Sequence, residues 1–462
     1  MEREVSFDDN PPAMQVIKQC TVFKPKNVPD ITFCTGEPGS GKTEILKAVV
    51  KKLTKDLKNV YIVAPTGVAA LNAGGITIHS GFKIPVRNNP QDMMKLTPLS
   101  MENKSEARLL ETLKAIDVLV VDEVSMVSAY ILDMIDKRMR QVRDNHLPFG
   151  GIKVILFGDL LQLPPVIGFG AEKQAYLERY KSEWFFVSKC LEHVDLDSGT
   201  VLLTRNYRQD QDPQYRNVLQ SMRKQKNLEL IKDTINKHCV GKLPPASQST
   251  LLCSTNKICD TYNARELERL ETELHTFVGT IEGIFPEKLT PVLETLEVKV
   301  GCRVIVKRNV YDDETHDLLA ANGDIAIVED VDPDYLRLRK VKTDTVFNLE
   351  KNIWENIEYQ TNEKGTVEKV VIGSFEQFPV KLGYAVTIHS SQGLTLDEAI
   401  IDIGDRQFVN GLFYVALSRV RSFDGIHIKR NVRVDDMRMD EGILQLYEGL
   451  EHKSKMISEL GG

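Results

Sequence analysis

The sequence contains no C-x-x-C pair: its seven cysteines (Cys20, Cys34, Cys190, Cys239, Cys253, Cys259 and Cys302) are scattered over 462 residues. Closely spaced thiols are what a redox motif or a structural zinc knuckle needs. Neither organises this chain, and the cysteines read as small buried side chains in a reducing compartment. Also missing is any run of about 18 uncharged apolar residues, the length that a bilayer-crossing helix requires. No basic-then-apolar opening segment resembles a secretion signal. No membrane partner is therefore expected, and the cytoplasm is the simplest location, with a nucleus or mitochondrion left open. Nor is positive charge in excess: 59 Lys and Arg stand against 66 Asp and Glu, a formal net charge of -7. That excludes the uniformly basic surface of an architectural nucleic-acid binder. It does not exclude a protein that slides along a strand, which needs only a local positive groove.

What is present is a chain of folding composition, 42% hydrophobic and 27% charged, long enough for two or three domains. Its first half holds short, almost wholly apolar β-type runs: Ile31 to Cys34, Val60 to Val63, Val118 to Val121 and Ile152 to Phe157. Runs of that kind suit a parallel sheet covered on both faces. Between the first two, Ile45, Leu46, Val49 and Val50 recur at helical spacing, which predicts a crossover helix over 44–53. These features predict an α/β P-loop domain over residues 1–195. Residues 83–108, with Pro85, Pro90 and Pro98, break the rhythm and read as a surface excursion. A second α/β unit is expected to open with Val201-Leu202-Leu203-Thr204 and to occupy 196–277 and 379–462. The interval 278–378 alternates β-type segments with turn pairs such as Asn322-Gly323, which predicts an inserted small β-barrel.

Chemistry enters with Gly36-Glu37-Pro38-Gly39-Ser40-Gly41-Lys42-Thr43, a G-x-x-x-x-G-K-[ST] pattern placed between a strand and a helix. Glycines let the backbone curl with its N–H groups around phosphates, and the helix N-terminus adds a favourable dipole. Lys42 can reach the β- and γ-phosphates, and Thr43 can hold Mg²⁺. Asp122 and Glu123 end the apolar run 118–121, where one carboxylate can hold the metal and the other can activate water. Asp159 and Gln162 follow the 152–157 run and can sense the γ-phosphate. Arg208, in Asn206-Tyr207-Arg208-Gln209, and Arg419, in Ala416-Leu417-Ser418-Arg419, offer the positive charge that a cleft closing on nucleotide needs from its far wall.

These segments, together with Ala64 to Ala70, Thr77 to Ser80, Thr387 to Thr395 and Tyr414 to Arg419, resemble in order and spacing the motifs of superfamily 1 helicases. The likeness is to the branch holding the PIF-type helicases, RecD and a phage helicase of similar size, and it runs from about Thr35 to Arg421. It implies two RecA-like domains in tandem, with a small β-wedge inserted in the first and a Src-homology-3-like barrel in the second. It implies ATP with Mg²⁺ between the lobes, single-stranded or forked duplex DNA across them, 5′-to-3′ movement and a monomer. Carried over by position, Gln162 senses the γ-phosphate, while Arg208 and Arg419 contact phosphate. Tyr207 lies near adenine and Gly393 links nucleotide to DNA. Pro65, Thr66, Thr77, His79, Thr387, His389 and Ser391 match positions that touch the strand. The 83–108 wedge is implied to part the duplex, with Phe82 a candidate for the same task that reads equally well as a core residue.

Two departures stand out. Ser390 occupies a position where the family often has lysine. The adenine-reading glutamine falls on Gln15 or Gln19, of which Gln19 has the closer spacing. The resemblance leaves open the pathway (replication, repair or recombination), G-quadruplexes or RNA–DNA hybrids as substrates, and single-stranded-DNA-binding or replication proteins as partners. A translocase that does not unwind, or the motor subunit of a recombination nuclease, are the alternatives.

Overall fold

The computed structural model describes residues 11–25, 28–84, 96–168, 170–196, 198–203, 212–241, 243–245, 249–392, 394–405 and 409–460. Six strands form the first sheet: β1 (Asp30–Gly36), β2 (Val60–Ala64), β3 (Ile76–Thr77), β4 (Val118–Val121), β5 (Lys153–Gly158) and β6 (Thr200–Leu203). All pairings are parallel, in the order β3-β2-β4-β5-β1-β6. The connecting helices are α1 (Pro11–Thr21), α2 (Lys42–Lys55), α3 (Gly67–Ala73), α4 (Ile78–Phe82), α5 (Lys104–Ala115), α6 (Ala129–Arg143) and α7 (Ala171–Tyr180).

The apolar runs follow from burial on both faces. Phe33, Tyr61, Leu119, Val121, Val154 and Leu156 pack into one cluster, while their neighbours Cys34, Ile62, Val118, Val120, Ile155 and Phe157 pack into another. Successive strand residues point to opposite faces, so a strand buried twice has no polar position to spare. The second cluster is closed by Ile45, Leu46, Val49 and Leu53 of α2.

β6 corrects the expected boundary near residue 196. The run Val201 to Leu203 does not open the second unit but pairs with β1 at the edge of the first sheet, Leu203 opposite Gly36. The approach is close enough that a Cβ at Gly36 would lie 2.7 Å from the Leu203 Cβ. The first P-loop glycine is therefore required by this strand as well as by phosphate.

The chain continues through α8 (Pro213–Arg223), α9 (Leu228–Cys239), β7 (Thr250–Cys253) and α10 (Asn256–Glu268). A β-rich insertion follows: β8 (Leu274–Val278), β9 (Thr280–Gly283), β10 (Thr295–Lys299), β11 (Arg303–Val306), β12 (Val310–Tyr311), β13 (Leu318–Ala320), β14 (Ile325–Val331), β15 (Tyr335–Lys340), β16 (Val346–Glu350), β17 (Asn352–Thr361), β18 (Val367–Gln377) and β19 (Val380–Leu382). The second lobe resumes with β20 (Ala385–Thr387), β21 (Ala399–Asp402), α11 (Leu412–Leu417), β22 (Ile426–Ile428) and α12 (Glu441–Leu460). Its four-stranded parallel sheet has the order β20-β7-β21-β22.

Within the insertion an antiparallel five-stranded sheet, β16-β15-β14-β11-β19, closes over Leu296, Val304, Val328, Leu336, Leu338 and Leu349. The β17–β18 hairpin leaves that core and lies back on the first lobe. There Tyr359 meets Ile62 and Thr112, and Asn59 bonds Gly365 and Val367.

Of the expected wedge, residues 85–95 lie outside the described residues. The described remainder contains no strand: 96–103 run without regular structure, and α5 starts at Lys104 behind its cap Asn103, whose side chain accepts from the N–H groups of Ser105 and Glu106. Of the two readings open for Phe82, strand separator or core, the structure selects the core. Phe82 is fully buried against Tyr61, and its carbonyl accepts from Arg138 Nε at 3.0 Å.

Candidate active site

The P-loop joins β1 to α2. Gly39 and Gly41 turn through φ values of +82° and +84°, a conformation side chains resist, and α2 begins at Lys42. Lys42 Nζ donates to the carbonyls of Gly36 and Glu37 at 2.8 and 3.0 Å. Its surroundings lower its pKa through loss of water, opposed by Asp159 and Glu123. Ser40 is buried with its hydroxyl unpartnered, and Thr43 is exposed at the start of the helix.

Asp122 and Glu123 leave the end of β4, two strands from the P-loop. Asp122 Oδ1 accepts the Glu123 N–H at 2.9 Å, and Glu123 adopts a left-handed φ of +49°. Burial raises both carboxyls; for Asp122 the neighbouring Glu123 raises it further. Glu123 Oε2 is buried without a hydrogen-bond partner. An unpartnered carboxylate oxygen of raised basicity has the features of a general base. Among the described residues no three His, Cys, Asp or Glu side chains cluster as a metal cage. The donors at hand, the Thr43 hydroxyl and the Asp122 carboxylate, are hard oxygen ligands, which suits Mg²⁺ carried largely by phosphates and water.

The far wall comes from the second lobe. Arg419, just beyond α11, is 1% exposed and is held by Val415 O at 3.0 Å, Ser418 Oγ at 2.7 Å and Ser391 O at 3.5 Å. Burial lowers its pKa to about 10, against the attraction of Tyr414, Glu123 and Asp159. A narrow cleft between the lobes is lined by Glu37 and Pro38 of the P-loop and by Arg216, Gln220, Tyr414 and Ser418 opposite. Gln162 is buried beside Asp159, its Nε2 3.4 Å from Asp159 Oδ2 and its Oε1 3.5 Å from Gln392 Nε2.

Two residues missed by the sequence reading, Arg223 and Tyr447, complete the site around Asp159. Asp159 is fully buried and receives Arg223 Nη1 at 3.0 Å and the Tyr447 hydroxyl at 3.1 Å. Neither Arg223 nor Tyr447 lies in a motif; each sits in an amphipathic helix, where an arginine or tyrosine ordinarily reads as surface or core. Arg208, Tyr207 and Gly393 lie outside the described residues. Gln19, on α1, donates its Nε2 to Ser198 O at 3.2 Å and keeps a buried, unpartnered Oε1.

On the strand-facing side, Thr66 and Thr77 cap α3 and α4, accepting the N–H groups of Ala69 and Ser80. Pro65 is half-buried between β2 and Thr66, and the 287–289 turn of the insertion packs against Gly67. His79 Nδ1 lies 3.1 Å from Ile84 O, and His389 is exposed. Thr387 Oγ1 accepts the Ser390 N–H and donates to Ser390 Oγ. Ser391 is corrected: it is fully buried, and its hydroxyl donates to Ile388 O at 2.7 Å, so it braces the loop behind Arg419.

A model of the PIF1-like helicase family matches residues 12–244. The ATP-dependent DNA helicase Pif1 of Bdellovibrio bacteriovorus is 30% identical over 431 residues, covering 91% of this chain and 88% of that protein. Among solved structures, Bacteroides sp Pif1 in complex with ADP-AlF4 superposes with a TM-score of 0.83 at 30% identity, over 97% of this chain and 98% of that one. Bacteroides Pif1 bound to ssDNA superposes with a TM-score of 0.61 at 31% identity, over 96% and 97% of the two chains.

Proposed function

The chain belongs to the PIF1-like helicase family and is an ATP-dependent DNA helicase, and from that premise we propose that it steps 5′ to 3′ along single-stranded DNA and opens a forked duplex ahead of it. The observation that carries the catalytic part is the buried, unpartnered Oε2 of Glu123 in one lobe, towards whose charge the buried guanidinium of Arg419 in the other exerts an attraction.

In this mechanism ATP lies in the cleft with its phosphates in the curl of Gly36 to Thr43. The Lys42 ammonium exchanges its two carbonyl partners for the β- and γ-phosphates. Thr43 and Asp122 would hold Mg²⁺, which when bound neutralises charge developing on the phosphates. Glu123 Oε2 takes a proton from the attacking water. Gln162 orients that water or the γ-phosphate from its bond to Asp159. Arg419 stabilises the transferring phosphoryl group, and Arg208 and Tyr207 are assigned the second phosphate contact and the adenine edge. Gln19 Oε1, an acceptor without a partner, suits the exocyclic amine of adenine.

Closure on ATP and reopening after hydrolysis shift the lobes past each other along the strand. Thr66, Thr77, Thr387, His79 and His389 grip sugar and phosphate without reading sequence, so binding is expected to be salt-sensitive and largely sequence-independent. G-quadruplexes, RNA–DNA hybrids and single-stranded-DNA-binding proteins belong to the same reading as substrates and partners of the strand.

The test is unwinding of two labelled partial duplexes, one with a 5′ tail and one with a 3′ tail, in ATP and Mg²⁺ beside Lys42→Ala. Opening of the 5′-tailed duplex alone, lost in the variant, is the expected result. Opening of the 3′-tailed duplex overturns the polarity, and DNA-stimulated hydrolysis without opening of either makes the chain a translocase.

A further inference from the structure

The C-terminal helix α12 lies beyond the 12–244 region matched by the family model, yet it reaches the floor of the nucleotide site. Tyr447 is 5% exposed, and its hydroxyl touches Thr35 Oγ1, the Leu160 N–H at 3.3 Å and Asp159 Oδ1 at 3.1 Å. Burial works against ionisation of Asp159, but Arg223 and Lys42 hold its carboxyl below the ordinary carboxylate range. An ionised carboxylate only accepts, and this orders the protons. The phenol donates to Asp159 and accepts from the Thr35 hydroxyl and the Leu160 N–H. One oxygen thus joins the last residue before the P-loop to the first two residues of the segment carrying Gln162.

Arg223 completes the arrangement from α8. Its Nη1 bonds Asp159 Oδ2 at 3.0 Å and the Tyr414 hydroxyl at 3.2 Å, and its guanidinium lies 4.7 Å from the Tyr447 ring centre. Asp159 Oδ2 also accepts from Gln162 Nε2, at 3.4 Å. The same carboxylate is gripped by two helices on one side and steadies Gln162 on the other.

We propose that Tyr447 and Arg223 are positioning residues for ATP hydrolysis, holding through Asp159 the loop that presents Gln162 and making the C-terminal helix a working part of the nucleotide site. The proposal rests on the reading of Gln162 as the residue that senses the γ-phosphate. Removing the phenolic oxygen leaves the Leu160 N–H, the Thr35 hydroxyl and one lone pair of Asp159 without their partner, while the ring still fills its place. The loop loosens and the fold stays.

The experiment uses the full chain with single-stranded oligothymidylate, comparing wild type, Tyr447→Phe, Gln162→Ala and the double variant. Tyr447→Phe is expected to lower kcat by at least about tenfold, towards the roughly hundredfold loss of a catalytic group misplaced by about 1 Å, with the KM for ATP within about twofold and the melting temperature close to wild type. The double variant should hydrolyse no more slowly than Gln162→Ala alone, because residues acting through one group do not combine independently. A Tyr447→Phe enzyme of wild-type kcat, or losses that multiply in the double variant, overturns the proposal. Arg223→Lys, which keeps the charge, must show the same non-multiplying relation to Gln162→Ala and decides the matter if Tyr447→Phe does not fold. A wild type whose hydrolysis DNA does not stimulate overturns the motor reading itself, and this proposal with it.

Discussion

Tyr359, in the long hairpin of the insertion, accepts the Ile62 N–H at 3.2 Å while its ring lies 4.6 Å from that of Tyr61. The contact has a backbone cause. β3 pairs only with Val63 and Ala64, so the Ile62 amide on that edge of β2 needs another acceptor, and the phenol of a distant hairpin supplies it. The insertion is thereby tied to the first lobe as well as to the second from which it grows.

Tyr359→Ala removes a buried ring and strands that amide, a local cost of about 3–5 kcal/mol by analogy with other buried aromatics. Hydrogen exchange is expected to quicken across 352–377 and in β2, and to stay unchanged in β14–β16. Tyr359→Phe keeps the ring but still strands the amide, and should cost about 1–3 kcal/mol. An unaltered exchange pattern in Tyr359→Ala would mean that the hairpin is not seated on the first lobe in solution.

Asp122 makes a prediction in pH. Burial, and then Glu123, push its carboxyl up to about 7. The unfolded chain releases this proton near pH 4 and the folded chain near 7. The folded state therefore binds the extra proton in between, and the stability associated with it is full below pH 4 and lost as pH rises to 7. Asp122→Asn removes that penalty. In the nucleotide-free protein it should raise the melting temperature by a few degrees at pH 7.5, roughly the scale of 1–2 kcal/mol in a chain of this size, and by less at pH 5. ATP hydrolysis should be lost at both. A lower melting temperature for the variant at pH 7.5 would contradict the burial argument.

Phe82 separates a core role from a strand-parting one. Fully buried against Tyr61, it should cost about 3–5 kcal/mol as Phe82→Ala. The milder Phe82→Leu is expected to melt lower than wild type but to unwind a 5′-tailed duplex normally per folded molecule. The reverse pattern, normal melting with poor unwinding, would place the ring at the fork.

Much of the site was legible in the sequence because its chemistry is written in contiguous residues. A backbone loop around phosphates needs its glycines, lysine and threonine side by side, so Gly36 to Thr43 could be recognised without coordinates. Asp122 and Glu123 were legible for a related reason: two carboxylates ending a wholly apolar run face a site at the carboxyl end of a buried strand. The strands themselves could be read because a sheet covered on both faces admits no polar alternation. The run at 201–203 carries no mark of the sheet it joins, because strand pairing is made by backbone groups and three apolar residues suit either sheet's edge equally well; the fold pairs it with β1.

What the sequence determined by itself, then, was the sheet-forming runs, the P-loop, the paired carboxylates and the family they resemble, since each depends on neighbours along the chain. Only the tertiary structure decided that Asp159 is gripped by Arg223, 64 residues away, and by Tyr447, 288 residues away. It also decided that Ser391 turns inward and that Phe82 is core. The physical reason is common to all of these. Whether a polar or aromatic side chain serves a site or a core depends on what the fold sets opposite it, and helical or strand periodicity gives its direction from the element but not the group it meets.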